Sequence, residues 1–359
     1  RRRVTQSIDP SLRTDDFDYS LPAELIAQTP LPNRHDSRLM VLNRSSGATS
    51  HTRFSEIGGF LRAGDVVVAN NTRVFGARLA IKREPSGGTG EILLLRQHED
   101  GSWEALARPA RRLRDGEAVT VLPAQTDLDP VEGGLVIQQH IGDGIVRVRL
   151  SDVVAANLDN IGRTPLPPYI NHRLDDPARY QTTYATASGS AAAPTAGLHF
   201  SEELIEMLKQ QGIVWAEVTL HIGLDTFRPV TAERVVDHQI HTEWCTVSGR
   251  TAGIVAAARR EGRRVIALGT TAARTLETAG QRWMYGDPAG FSTDTSIFIT
   301  PGYEWQVVDG MITNFHLPRS TLLMMISAFA GRERVLAAYR EAIEHRYRFF
   351  SFGDGMLIL

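Results

Sequence analysis

The most constraining feature of the chain lies between residues 74 and 150. There, short apolar runs follow one another too closely to leave room for helices. RLAIKRE, GEILLLRQ, SWEALARP, EAVTVLP, LVIQQHI and IVRVRL are punctuated by the turn-forming triplets EDG, RDG and GDG. Six strand-length segments in under eighty residues, with almost no helical periodicity, predict a small antiparallel β-barrel.

The texture differs on both sides. Before the barrel come RLMVLNR (38–44), an SSGA turn, a helix near 54–62 and the apolar run DVVVAN (65–70). After residue 151 strands alternate with helices. Ser201 is an N-cap for SEELIEMLKQQG, Glu202 and Glu203 sit in its first turn, and Gly212 stops it. VWAEVTLHIG then reads as a strand, TAGIVAAARREG as a helix, RVIALGT as a strand and AARTLETAG as a helix. VVDGMITNF is another strand, and STLLMMISAFAG and RERVLAAYREAIEHRY are two helices. The expected architecture is therefore α/β: a mixed-sheet α/β body (residues 1–73 and 151–359) with an inserted small antiparallel β-barrel domain (74–150). A chain of 359 residues is long enough for two domains.

Several classes of function are set aside by composition. A formal net charge of −2 gives no bulk attraction to nucleic acid, so a polyanion would have to meet a local basic patch. RPARRLR (108–114), RREGRR (259–264) and HRYR (345–348) offer such patches if they share a face. The single cysteine, Cys245, excludes an internal disulfide framework and a Cys-ligated cluster. The longest apolar run, LLMMISAFA, is about half of the roughly 18 residues a membrane span needs. RRRVTQSIDP leads into no apolar segment of the secretory type, so a cytoplasmic location is expected. No Walker lysine loop and no GxGxxG after a strand is present, and GGTG (87–90) merely opens a barrel strand.

Candidate chemistry concentrates in the α/β half. In VWAEVTLHIG, Val214, Ala216, Val218, Leu220 and Ile222 share one face, which puts Glu217, Thr219 and His221 on the other. A solvated sheet face accounts for the same pattern. Asp225 and Thr226 follow in a loop. In GTTAARTLE, Thr270 or Thr271 is expected to cap a helix whose first N–H groups suit an anion, with Arg274 one turn further in. A well-capped helix without a ligand reads the same way. TNFHLPRST repeats the form with Asn314, His316 and a Ser320/Thr321 cap. DHQIHTEW offers His238, His241 and Glu243 without the i, i+4 spacing of a zinc helix, so no metal is expected there. Histidine is the side chain suited to acid or base work near neutral pH.

Taken in order, AAPTAGLHF, VTLHIGLDTFRPV, DHQIHTEW, GTTAARTLE, ITNFHLPRST, SAFAG and YRFFSFGD resemble the S-adenosylmethionine:tRNA ribosyltransferase-isomerases of queuosine biosynthesis. DFDYSLPAELIAQTPLPNRHDSRL, AGDVVVANNTRVFGARL and TPLPPYI extend the resemblance over essentially the whole chain. It implies an α/β body with an inserted barrel and no metal. It also implies S-adenosylmethionine consumed as a ribosyl donor, with no cofactor besides. The acceptor would be 7-aminomethyl-7-deazaguanine at the wobble position of a tRNA with a GUN-type anticodon. The products would be epoxyqueuosine, adenine and methionine, made by a monomeric enzyme without a membrane partner.

Such a reaction needs a base at the sulfonium-activated ribose carbon and an acid for the departing adenine. His199, His221 and His316 are the candidates, with Asp225 and Glu243 as alternative carboxylates. Thr270, Thr271 and Arg274 are candidates to hold the methionine carboxylate or an RNA phosphate. Thr195, Gly197 and Asn314 complete the expected binding set, with Gly197 in a small-residue turn that lets a ligand approach the backbone beside His199. A tight turn packed for structural reasons would look the same. The chain departs from the family pattern at Asp225, where a second glycine is common, and at Thr300 and Phe352, where tyrosine is frequent. These departures leave open a noncatalytic or substrate-shifted tRNA-binding paralogue, which would bind tRNA without consuming S-adenosylmethionine.

Overall fold

The computed structural model describes residues 8–84, 86–98, 100–123, 133–142, 144–172, 174–223, 229–284, 286 and 288–359. The chain forms two compact units. One holds the chain up to Thr72 with Pro167–Ala187 and Pro194–Leu359; the other holds Arg73–Leu166 and Ser188–Ala193.

The first unit begins with β1 (Arg38–Leu42), β2 (Thr49–Arg53) and β3 (Val66–Asn70). The expected helix near 54–62 is a 3-10 stretch, Phe54–Phe60, that buries Phe54 and Ile57. β4 (Thr72–Val74) spans the point where the chain enters the second unit. That unit contains β5 (Arg78–Arg83), β6 (Thr89–Gln97), β7 (Trp103–Arg108), β8 (Ala118–Leu122), β9 (Gly134–Gly142) and β10 (Ile145–Leu150). They close into an antiparallel barrel in the order β10-β7-β6-β5-β8-β9. Alternate residues point inward, as Leu79 and Ile81 do on β5 and Val146 and Val148 on β10.

This unit runs past the expected boundary at residue 150. Helices α1 (Asp152–Ala156) and α2 (Leu158–Ile161) bury Val154 and Ile161. The backbones of Gly76 and Gly162 then touch: a Cβ on Gly162 would stand 1.8 Å from the Gly76 carbonyl oxygen, so only glycine fits.

The rest of the chain supplies β11 (Ala187–Ser190), α3 (Glu202–Gln210), β12 (Val214–Leu220), β13 (Glu243–Val247), α4 (Gly249–Arg260), β14 (Val265–Leu268) and α5 (Thr270–Trp283). After these come β15 (Phe291–Thr295), β16 (Gly310–Asn314), α6 (Thr321–Ala330), α7 (Arg332–Glu344) and β17 (Gly355–Ile358). Among the described residues nine strands make one mixed sheet, β15-β13-β12-β3-β14-β16-β17-β1-β2. The central four, β12, β3, β14 and β16, are parallel.

Burial explains their sequences. β3, β14 and β16 are buried at every position, because both sheet faces are covered. Val66 and Val68 enter the core shared with α4 to α7, while Val67 and Ala69 enter the one shared with Phe54, Ile57 and α3. Ser201 and Ser320 cap α3 and α6 by accepting the Leu204 and Leu323 N–H groups. Among the described residues, no helix is long and apolar enough to cross a membrane.

Candidate active site

The four parallel strands all end at one edge of the sheet, where side chains and helix N-termini converge without a ladder to satisfy them. Asn70, Leu220, Leu268 and Asn314 are the last residues of β3, β12, β14 and β16. Ser37 and Glu243, at the amino-terminal ends of β1 and β13, reach the same edge because β17 and β13 run antiparallel to their parallel neighbours. This topology brings together nearly all the histidines and hydroxyls singled out in the sequence, all within the first unit. Asp225 and Thr226 lie outside the described residues.

His221 follows β12 directly and is half-buried. Its Nδ1 lies 2.8 Å from the Thr72 hydroxyl, and its ring stacks on Trp244 with centroids 5.0 Å apart and planes at 20°. The Thr72 hydroxyl points its proton at the Ala187 carbonyl, 3.4 Å away, and so accepts from Nδ1–H. Nε2 is then the lone-pair edge, and no described residue bonds it. Burial holds the pKa below its ordinary 6.5, so the ring is neutral near pH 7. A neutral imidazole with one nitrogen anchored and the other open is equipped to take a proton.

His199 is arranged differently. It is buried, stacks on Phe54 at 4.6 Å, and uses both nitrogens: Nδ1 lies 2.7 Å from Ser37 Oγ and Nε2 lies 3.2 Å from Asn314 Oδ1. Asn314 Nδ2 donates to the carbonyls of Phe350 (2.9 Å) and Ser351 (3.2 Å), which turns its oxygen toward His199. The imidazole therefore carries its proton on Nε2 and accepts the Ser37 hydroxyl at Nδ1. Burial pushes its pKa down to about 4. His316 is buried as well, with Nε2 2.7 Å from Thr313 Oγ1, its N–H on Tyr339 Oη and its carbonyl accepting Tyr19 Oη. Burial lowers its pKa to about 3.

A charged node lies beside His221. Glu243 is buried and accepts the Gly223 N–H at 3.0 Å, His241 Nε2 at 3.1 Å and a guanidinium N–H of Arg274. Burial works to raise its pKa, but Arg274 and His241 outweigh that and hold the carboxyl below its usual range. Arg274, 3% exposed, spends Nη1 on Glu243, and its Nε and Nη2 have no partner among the described residues. His238 packs its ring edge-on to Phe298, and burial, with the nearby His241, lowers its pKa.

The expectation that Thr270 or Thr271 caps α5 is corrected. The cap is Gly269 with φ +89°, which has no side chain to close the helix end. The left-handed backbone of Gly269 turns the chain straight from β14 into α5, so Thr270 is already the first helical residue. Thr271 Oγ1 instead receives Asn70 Nδ2 at 3.1 Å.

The Thr195–His199 turn packs on this corner, with Ala196 against Gly269. Within it Gly197 faces protein: a Cβ there would stand 2.0 Å from Tyr184 Oη. The small residues thus admit a tyrosine, which accounts for the turn without a ligand.

Sequence reasoning passed over Asn70, Asn71 and Thr72. Asn70 receives the Thr72 and Leu220 N–H groups and donates to the Leu220 carbonyl and Thr271, while Asn71 accepts Thr219 Oγ1 at 2.7 Å. The available signal was a polar triplet beginning at the last residue of an otherwise apolar strand, a place where α/β sheets carry their sites.

Comparison with known proteins supplies the remaining observations. The Queuosine biosynthesis protein family model matches residues 14–358. The chain is 49% identical over 348 residues to the S-adenosylmethionine:tRNA ribosyltransferase-isomerase of Carboxydothermus hydrogenoformans, covering 97% of this chain and all of that one. It is 52% identical over 345 residues to the enzyme of the same name from Heliobacterium modesticaldum, covering 96% and 98%. It is also similar to the crystal structure of S-adenosylmethionine tRNA ribosyltransferase from Thermotoga maritima, with a TM-score of 0.55 and 36% identity over 96% of this chain and all of that one.

Proposed function

The chain belongs to the queuosine biosynthesis protein family, and from that membership we propose how its residues carry the reaction. It transfers and isomerises the ribosyl moiety of S-adenosylmethionine onto 7-aminomethyl-7-deazaguanine at the tRNA wobble position. The products are epoxyqueuosine-tRNA, adenine and methionine. The observation that carries this reading is the kinship itself, which spans both units and nearly every residue at about half identity.

In our assignment His221 is the general base. Its Nε2 is unbonded among the described residues, its tautomer is set by Thr72, and burial keeps it neutral near pH 7. The methionine carboxylate of the substrate sits at the start of α5, where the cap residue Gly269 has no side chain and the Nε–H and Nη2–H groups of Arg274 are unbonded among the described residues. Glu243 holds Arg274 in place and, through His241, offers a path for the proton that departing adenine requires. His199, His316 and Asn314 support the edge from beneath as framework. S-adenosylmethionine is consumed and is not a resident cofactor. The acceptor is a tRNA with a GUN-type anticodon, and the enzyme works as a cytoplasmic monomer.

The test is incubation of the protein with S-adenosylmethionine and tRNA bearing the deazaguanine precursor. Adenine release should match the appearance of a wobble nucleoside heavier by the epoxycyclopentane unit. Tight tRNA binding without adenine release would refute it in favour of a noncatalytic scaffold.

A further inference from the structure

At the far margin of the sheet from His221, the edge strand β2 meets the last turn of α7. His51 on β2 faces Glu341 and His345, which are spaced i, i+4 and therefore lie on one face of the helix end. His51 Nε2 is 2.8 Å from Glu341 Oε1, and the two imidazoles stack with centroids 4.5 Å apart and planes at 16°. One donor atom from each of the three residues lies within 4.8 Å of the others.

The surroundings orient this set. Thr49 Oγ1 lies 2.8 Å from each Glu341 carboxylate oxygen, and His51 Nδ1 is 2.9 Å from Tyr347 Oη. Tyr347 is in turn covered by the Arg38 guanidinium, 4.2 Å from its ring centroid. If His51 donates Nδ1–H to Tyr347, its Nε2 lone pair faces a carboxylate oxygen, and a cation between them is required.

We propose that His51, Glu341 and His345 bind one borderline divalent cation, of the Zn2+ or Co2+ kind, clipping the edge strand to the end of α7. Two imidazoles and one carboxylate are a donor set such ions favour, with water completing the shell. A tetrahedral ion with bonds near 2 Å demands donors ~3.3 Å apart, so on binding the His51–Glu341 pair, now at 2.8 Å, opens slightly and the exposed His345 ring turns toward it. A proton on Nε2 fills the same gap without metal, and the experiment separates the two.

Tag-free full-length protein, stripped with chelator, is titrated with Zn2+ by calorimetry and with Co2+ by visible absorption. One equivalent should bind, and the Co2+ bands should report a low-coordinate site of nitrogen and oxygen. His345→Ala and Glu341→Gln should each abolish saturable binding, and Thr49→Val should weaken it about tenfold. Zn2+ should raise the Tm of the wild type and leave that of His345→Ala unchanged. Absence of saturable uptake would establish the proton-bridged pair and overturn the proposal. So would uptake that survives both ligand variants, or a thiolate charge-transfer band placing the metal on Cys245.

Discussion

His199 and His221 stand at the same edge of one sheet, yet their surroundings give them opposite capacities. His199 is closed: both nitrogens are bonded, Phe54 covers one face, and its pKa is near 4. His221 is half-open: Thr72 takes one nitrogen, Trp244 supports the ring, and the other nitrogen has no partner among the described residues. A buried imidazole with every lone pair assigned contributes rigidity, whereas proton transfer needs one nitrogen left available. Position in a motif does not separate these two rings; the count of bonded nitrogens does, and our proposal that His221 works while His199 serves as framework rests on it.

The strongest way to break this contrast is to remove each ring. His221→Ala should reduce the rate of adenine release about 10²–10⁴-fold with an unchanged Tm, measured at saturating substrates. His199→Ala should do the reverse, lowering Tm while the folded fraction keeps most of its turnover. Equal losses of turnover in two well-folded variants would erase the distinction.

Acid stability sharpens it. The folded pKa of His199, about 4, lies below its ordinary 6.5, so the unfolded chain takes up the proton first as pH falls. The contribution of His199 is complete above 6.5 and is lost progressively down to about 4, at roughly 1.4 kcal/mol per pH unit. Denaturant titrations of wild type and His199→Asn across that window should show a shallower acid loss in the variant.

Gly197→Ala comes next. Its new Cβ must displace Tyr184, which should cost about 1–3 kcal/mol in denaturant stability with little effect on the KM for S-adenosylmethionine. If that KM rises sharply while stability holds, the turn contacts ligand after all. The smallest effect is expected for Thr72→Val, which frees the His221 tautomer. It should slow turnover about tenfold, near 1.4 kcal/mol, without moving Tm.

Much of this was written locally. Six closely spaced alternating runs demanded a barrel, the caps at Ser201 and Ser320 started helices where expected, and RVIAL and MITN appeared as strands. These features depend on neighbours a few residues away, so hydrophobic period and capping chemistry expose them. The list of polar residues at strand ends was legible for the same reason, apart from the Asn70–Thr72 triplet.

The different bonding of these residues was not. His199 is closed by Ser37, 162 residues earlier, and by Asn314, 115 residues later. His221 is set by Thr72, 149 residues away, and the inserted stretch that separates them in sequence carries no sign of that pairing. The sequence determined which chemistry could be assembled, because residue type and local pattern are properties of short segments. Only the tertiary structure decided which imidazole keeps a free nitrogen, because burial and hydrogen-bond partners come from strands that meet after folding.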